Sequence, residues 1–150
     1  MKTFESIEAL EAALGTEVAV SEWTAIAQDR VNLFADATDD PQWIHVDVER
    51  AAQSPFGGTI AHGYLTLSLL PKFLESTIEL RFSRMSINYG ANKIRFPSPV
   101  PVGAKLRLGV KLLEVKDFNG GVETTMEFTF ECEGSAKPSC VAEIIFRLFQ

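Results

Sequence analysis

From Lys105 to the C-terminus the chain alternates apolar and polar residues at period two, and this pattern limits the fold more than any other feature. Leu106, Leu108, Val110 and Leu112 alternate with Lys105, Arg107, Gly109 and Lys111. Asn119-Gly120-Gly121 then supplies residues able to take positive φ, the signature of a hairpin turn. The next run sets Val122, Thr124, Met126, Phe128, Phe130 and Cys132 against Glu123, Thr125, Glu127, Thr129, Glu131 and Glu133. Successive side chains of a strand point to opposite faces, so each run has one buried and one wet face. The wet face of the first run is basic and that of the second acidic, which suits antiparallel neighbours. Residues 134–139 turn the chain again. A last strand from Cys140 to Leu148 follows, apolar on both faces and therefore expected inside the sheet.

The texture changes near Pro97-Ser98-Pro99-Val100-Pro101-Val102-Gly103. Before it the chain reads as helices and irregular segments. Residues 3–14 place Phe4, Ile7, Leu10 and Leu14 at helical spacing, and residues 27–37 do the same with Val31, Phe34 and Ala35. Residues 60–75 are apolar on nearly every side from Tyr64 to Leu70, the mark of a buried helix, and Pro71 is expected to kink or end it. A buried helix and an antiparallel sheet able to wrap around it make an α+β layer arrangement. The second face of such a sheet needs cover, and Ile145 and Val141 on it suggest dimerisation.

The 150 residues suggest a single domain spanning 1–150. With 14 Lys and Arg against 20 Asp and Glu, the formal charge is −6, and no basic cluster stands out. Nucleic acid and anionic membrane surfaces are therefore poor partners. The two cysteines, Cys132 and Cys140, lack metal-type spacing and read as reduced thiols. No apolar run reaches the ~18 residues of a membrane span. The first residues read as an amphipathic helix, not a secretion signal. Together these point to a cytoplasmic protein.

Chemistry concentrates in residues 38–63, which hold both histidines of the chain, His45 and His62. In Thr38-Asp39-Asp40-Pro41-Gln42-Trp43-Ile44-His45-Val46-Asp47, a Pro-containing turn can bring Asp40 and His45 to one point. A carboxylate and an imidazole converging there can hold and deprotonate a water. The plainer reading has an aspartate capping a turn and His45 bonded to a carbonyl. In Ser54-Pro55-Phe56-Gly57-Gly58-Thr59-Ile60-Ala61-His62-Gly63-Tyr64, glycines precede a helix start. The first N–H groups of a helix lack internal partners and can bind a developing oxyanion. The same loop can equally do no more than deliver the helix.

Taken together, these segments resemble the MaoC-like, R-specific enoyl-CoA hydratases, whose pattern is roughly T-G-D-x-N-P-I-H-x-D followed by F-G-x-x-I-A-H-G-x-L-x-x-S-L. Here the stretches stand as T-D-D-P-Q-W-I-H-V-D and F-G-G-T-I-A-H-G-Y-L-T-L-S-L. The first of these, with Ile87-Asn88-Tyr89-Gly90 and the segment from Ala91 to Gly103, is similar to the nodulation-protein-N-like branch. The resemblance covers nearly the whole chain. It implies a hotdog fold, a long central helix wrapped by an antiparallel β-sheet, working as a homodimer. It also implies hydration of trans-2-enoyl-CoA to (R)-3-hydroxyacyl-CoA, with an acyl-CoA substrate and no metal or redox cofactor. By motif position the catalytic pair is Asp40 and His45, and the Gly63 N–H falls where the thioester oxygen is bound.

Asp39 replaces the motif glycine, Gln42 the asparagine and Trp43 the proline. Gln42 keeps an amide able to orient neighbours, and Trp43 is expected in the wall of the site. His62 is read as a structural holder of the loop and Asn88 as a brace. Lys93 and Arg95 suit either the CoA phosphates or solvent. Two rival functions share this fold: an acyl-CoA thioesterase, and a non-catalytic acyl-thioester binding subunit. Thioesterases of this shape carry a carboxylate on or near the central helix, and Ile60 to Leu74 contains none. The complete Asp40, His45 and Gly63 set argues against a non-catalytic subunit.

Overall fold

The computed structural model describes all residues from Met1 to Gln150. Its frame is the period-two half of the chain. Strands β6 (Lys105–Phe118), β7 (Gly121–Cys132) and β8 (Cys140–Phe149) form an antiparallel run, with β8 inside the sheet as its two apolar faces require. The expected charge pairing holds: Arg107 lies opposite Glu131 and Lys111 opposite Glu127. Arg107 and Glu131 form an ion pair at 2.5 Å, and Arg147 pairs with Glu123 at 2.9 Å.

The inward face of these strands meets the central helix. Leu106, Leu108, Val110, Phe128 and Phe130 are fully buried, and Phe73 of the helix meets Phe130 edge-on at 5.8 Å. This is the hotdog arrangement. The sheet has six strands in the order β2 (Glu17–Val20), β6, β7, β8, β5 (Met85–Arg95), with β3 (Thr24–Ala25) also on β6.

Several expectations need correction. The central helix does not run unbroken over 60–75. It begins at Gly63 and splits at Leu69 into α5 (Gly63–Ser68) and α6 (Leu70–Glu75). Pro71 sits in the first turn of the second piece, where its missing N–H costs nothing. Ile60 and Ala61 are extended instead, because the Ala61 N–H donates to the Val100 carbonyl at 2.8 Å and the Val102 N–H to that of Thr59 at 2.9 Å. Residues 3–14 likewise divide. Lys2–Phe4 form β1, drawn into parallel pairing with β4 (Ile78–Leu80), and Ser6 caps the short helix α1 (Ile7–Glu11).

The segment before the proline-rich turn holds an eleven-residue strand, β5, which sequence periodicity did not reveal. It is an edge strand with two register irregularities, and most of its residues are exposed on both faces, so no clean alternation is imposed on it. The outer sheet face mixes apolar and charged side chains. Ile145 and Val141 are only half-exposed, amid a cross-strand row of Lys93, Glu143, Glu127 and Lys111. The exposed apolar side chains of that face belong to β5, where Ile87 lies opposite Arg147 and Tyr89 takes the Arg147 guanidinium over its ring; Tyr64 beside Phe96 is exposed at the helix start.

Candidate active site

Two turns and a helix end build the site. Helix α2 (Gln28–Thr38) ends at Asp39, which takes the left-handed conformation at φ 54° and ψ 37°. That conformation favours glycine, and Asp is among the few other residues that tolerate it. The position accounts for the motif glycine and for why an aspartate can stand in its place. The turn hands the chain to Asp40, whose side chain is 54% exposed. A single helical turn, α3 (Trp43–Val46), then carries His45 inward. His62 ends the extended segment 59–62 and is the N-cap of α5.

The two imidazoles stack face to face, 3.8 Å between centroids at 25°. Both are buried, and Phe34 of α2 leans on His62 at 5.0 Å. His45 Nδ1 lies 2.6 Å from the Ile60 carbonyl oxygen. A carbonyl only accepts, so Nδ1 carries the proton and Nε2 keeps a free lone pair. His62 Nε2 stands 3.1 Å from the Asp40 carbonyl oxygen and 3.9 Å from its carboxylate. By the same reasoning Nε2 is the protonated nitrogen of His62. Its Nδ1 is buried with no partner in the protein.

One ligand atom each from Asp40, His45 and His62 lies within 4.8 Å of the other two. A water with hydrogen bonds of ~2.8 Å spans a gap of that size. A metal suits the set less well. Nearly parallel rings send their in-plane lone pairs side by side, not toward the common point that tetrahedral coordination needs.

Gly63 opens α5, and its N–H is among those a helix leaves without an internal partner. A Cβ at Gly63 would lie 3.0 Å from the Phe96 ring. A larger residue at this position would therefore have to push the Phe96 ring aside. Four residues further along the helix, Leu67 enters the wall of a cavity of about 730 Å³ between α5, α6 and the inner faces of β5 and β8. Leu70, Leu74, Met126 and Ile144 give it an apolar interior.

The structure thus brings Asp40, His45 and His62 together and sets Gly63 next in chain. It does not bring in two expected supporters. The Gln42 amide is exposed and makes no hydrogen bond; only its carbonyl serves, accepting the His45 N–H at 2.9 Å. Asn88 lines the cavity and bonds to none of the three. Trp43 is half-buried with the Arg50 guanidinium over its ring at 4.3 Å, and it is not among the residues that line the cavity described above. Two residues that the motif does not single out, Gln28 and Thr59, stand behind His45. The signal was weak: a glutamine at a helix start and a threonine in a glycine loop are common.

Burial is the main reason that the His45 pKa falls below the ordinary 6.5; the His62 charge lowers it further, while the Ile60 carbonyl and Asp40 oppose the fall. The neutral, proton-accepting ring therefore persists below pH 6.5. The acid limb of kcat/KM is expected below pH 6.5, and folding stability should decline as pH drops under that value while holding above it. A pH profile of initial rates checks this; a limb midpoint at or above 6.5 contradicts it.

Comparison with known proteins bears on the family and the fold. Residues 9–131 match the MaoC like domain family. The chain is 55% identical over 148 residues to 3-hydroxyacyl-thioester dehydratase Z of Mycobacterium tuberculosis (strain H37Rv), covering 98% of each chain. It is 44% identical over 144 residues to Nodulation protein N of Rhizobium leguminosarum bv. viciae, covering 93% of this chain and 89% of that one. The solved structure of R-Hydratase PhaJ1 from Pseudomonas aeruginosa shares the fold, with a TM-score of 0.71 at 24% identity over 93% of this chain and 84% of that one. No helix is long and apolar enough to cross a membrane. With a match over most of its length and close relatives along nearly all of it, this chain belongs to the MaoC-like family and is a hydratase/dehydratase.

Proposed function

We propose that the protein catalyses the reversible hydration of trans-2-enoyl-CoA to (R)-3-hydroxyacyl-CoA, without a metal or redox cofactor. The convergence of Asp40 and His45 carries this reading. Water adds OH at C3 and a proton at C2 of the enoyl thioester. Asp40 is the main base on the water, and His45 Nε2 orients it and shares the proton. The pair returns a proton to C2 on the same face. Negative charge gathers on the thioester oxygen during attack, and the Gly63 N–H at the head of α5 receives it. Such a donor is worth roughly 3–4 kcal/mol in the transition state.

The apolar cavity beside Leu67, Leu70 and Leu74 is the natural seat of the acyl chain. The Mycobacterium relative, named as a dehydratase of 3-hydroxyacyl thioesters, supports the substrate class. The free edge of β5 and the exposed Tyr64, Phe96, Ile87 and Tyr89 support a second copy as partner. Sedimentation at twice the chain mass is the matching result. The free, buried thiols of Cys132 and Cys140 are consistent with a cytoplasmic setting.

The decisive assay follows enoyl-CoA substrates of graded acyl length, with chiral analysis of the product. Loss of enoyl absorbance with an (R)-3-hydroxyacyl product is expected. Release of free CoA would instead indicate a thioesterase, and binding without turnover a non-catalytic subunit.

A further inference from the structure

The helical turn that carries His45 cannot hold itself in place. It is four residues long, its N-cap has no side-chain hydrogen bond, and Asp47 N–H to Trp43 carbonyl, at 3.0 Å, closes it. A single turn lies far below the ~12–15 residues at which an isolated helix becomes even marginally stable. The last carbonyls of any helix also lack internal donors. The carbonyl of His45 is one of these, and Gln28, the first residue of α2, reaches it.

Gln28 Nε2 donates to the His45 carbonyl at 2.7 Å and to Asn32 Oδ1 at 2.9 Å. Its Oε1 accepts from the Thr59 hydroxyl at 2.6 Å. Because a carbonyl accepts and never donates, the orientation of this amide is fixed. Thr59 is buried and directly precedes Ile60, whose carbonyl takes the Nδ1 proton of the His45 ring. Ile60 N–H donates in turn to the Ile44 carbonyl at 3.0 Å. Both ends of His45 are thus referred to one segment, the ring directly and the main chain through the Gln28 amide.

We infer that Gln28, locked by Thr59, is a positioning residue for the hydration: its amide fixes the His45 main chain against the segment whose Ile60 carbonyl sets the tautomer and direction of the ring. The inference rests on the role proposed above for His45. A misplacement of the order of 1 Å in a reacting group costs as much as ~10²-fold in rate.

The test compares Gln28→Leu, which removes all three bonds at similar volume, with Thr59→Val and Thr59→Ser, on crotonyl-CoA. For Gln28→Leu, kcat should fall roughly 10- to 100-fold with KM held within about twofold, since the ring is displaced and the substrate site is not. Thr59→Val should show a smaller fall and Thr59→Ser none, because the serine keeps the hydroxyl. The double variant Gln28→Leu/Thr59→Val should be no slower than Gln28→Leu alone. By proton NMR, the downfield Nδ1–H resonance of His45 should broaden in Gln28→Leu. If that variant does not fold, the Thr59 pair with the same NMR signal decides the matter.

Wild-type kcat in a folded Gln28→Leu, or equal losses in Thr59→Ser and Thr59→Val, overturns the inference. His45→Gln measured alongside separates the two layers. Normal turnover there defeats the reading of His45 itself, whereas an inactive His45→Gln beside a normal Gln28→Leu defeats only the positioning role.

Discussion

Hydration of crotonyl-CoA should fall by at least ~10²-fold in Asp40→Asn and in His45→Gln, each with the fold intact. The reasons differ. Asp40 is half-exposed at the mouth of the site, and Asp→Asn keeps its shape while removing the base. The His45 ring is buried, with one nitrogen committed to the Ile60 carbonyl. Gln at 45 replaces the basic Nε2 by a non-basic amide of similar reach, so a loss with the fold shown intact reports the missing ring base. The two substitutions act on one water and should not add: the double variant should lose little beyond the worse single one. Initial rates and circular dichroism on the three variants check this. Near-normal turnover in either folded single variant would remove that residue from the mechanism.

The second large effect concerns the Gly63 amide. A plain Gly63→Ala cannot isolate it, because alanine keeps the N–H while its Cβ meets the Phe96 ring at 3.0 Å. The informative pair is Gly63→Ala and Gly63→Pro, both built on Phe96→Ala to relieve the crowding. Proline is well placed at the first position of a helix, where its N–H would have no partner. His62, at φ −60° and ψ 140°, already has the extended backbone that a following proline demands. Within this background the two variants differ chiefly in one N–H. The proline form should hydrate crotonyl-CoA roughly 10²- to 10³-fold more slowly than the alanine form. Equal rates would show that the thioester oxygen is held by another group.

How much of this was legible beforehand depended on whether the signal was local. The strands β6 and β7 are written in their alternation because each has one face on the core and one in water, and β8 in the apolar residues on both of its faces. Strand β5 is as long as these need to be, but its edge position leaves residues on both faces exposed, and the sequence there is free to vary. The helix break was legible in Pro71; its place at Leu69, and the extended stretch before Gly63, depended on pairing with Val100 and Pro101 from a distant turn. At the site, Asp40, His45 and Gly63 stand out because they lie in dense motifs. The stacking of His62 on His45 does not, since two rings 17 positions apart meet only when the loop folds back. Gln28 was invisible for the same reason: its three bonds join segments that nothing in the local pattern connects.

The unpaired side of β5 has a consequence for how the protein survives at high concentration. Wherever no second copy covers it, eleven residues of extended backbone with one side open can template growth onto any other open strand. Lys93 and Arg95 sit near its C-terminal end as cationic gatekeepers, while the stretch from Met85 to Gly90 carries no charge. Neutralising both cations therefore leaves the whole ribbon uncharged and sticky. The resulting fault would be precipitation at high concentration.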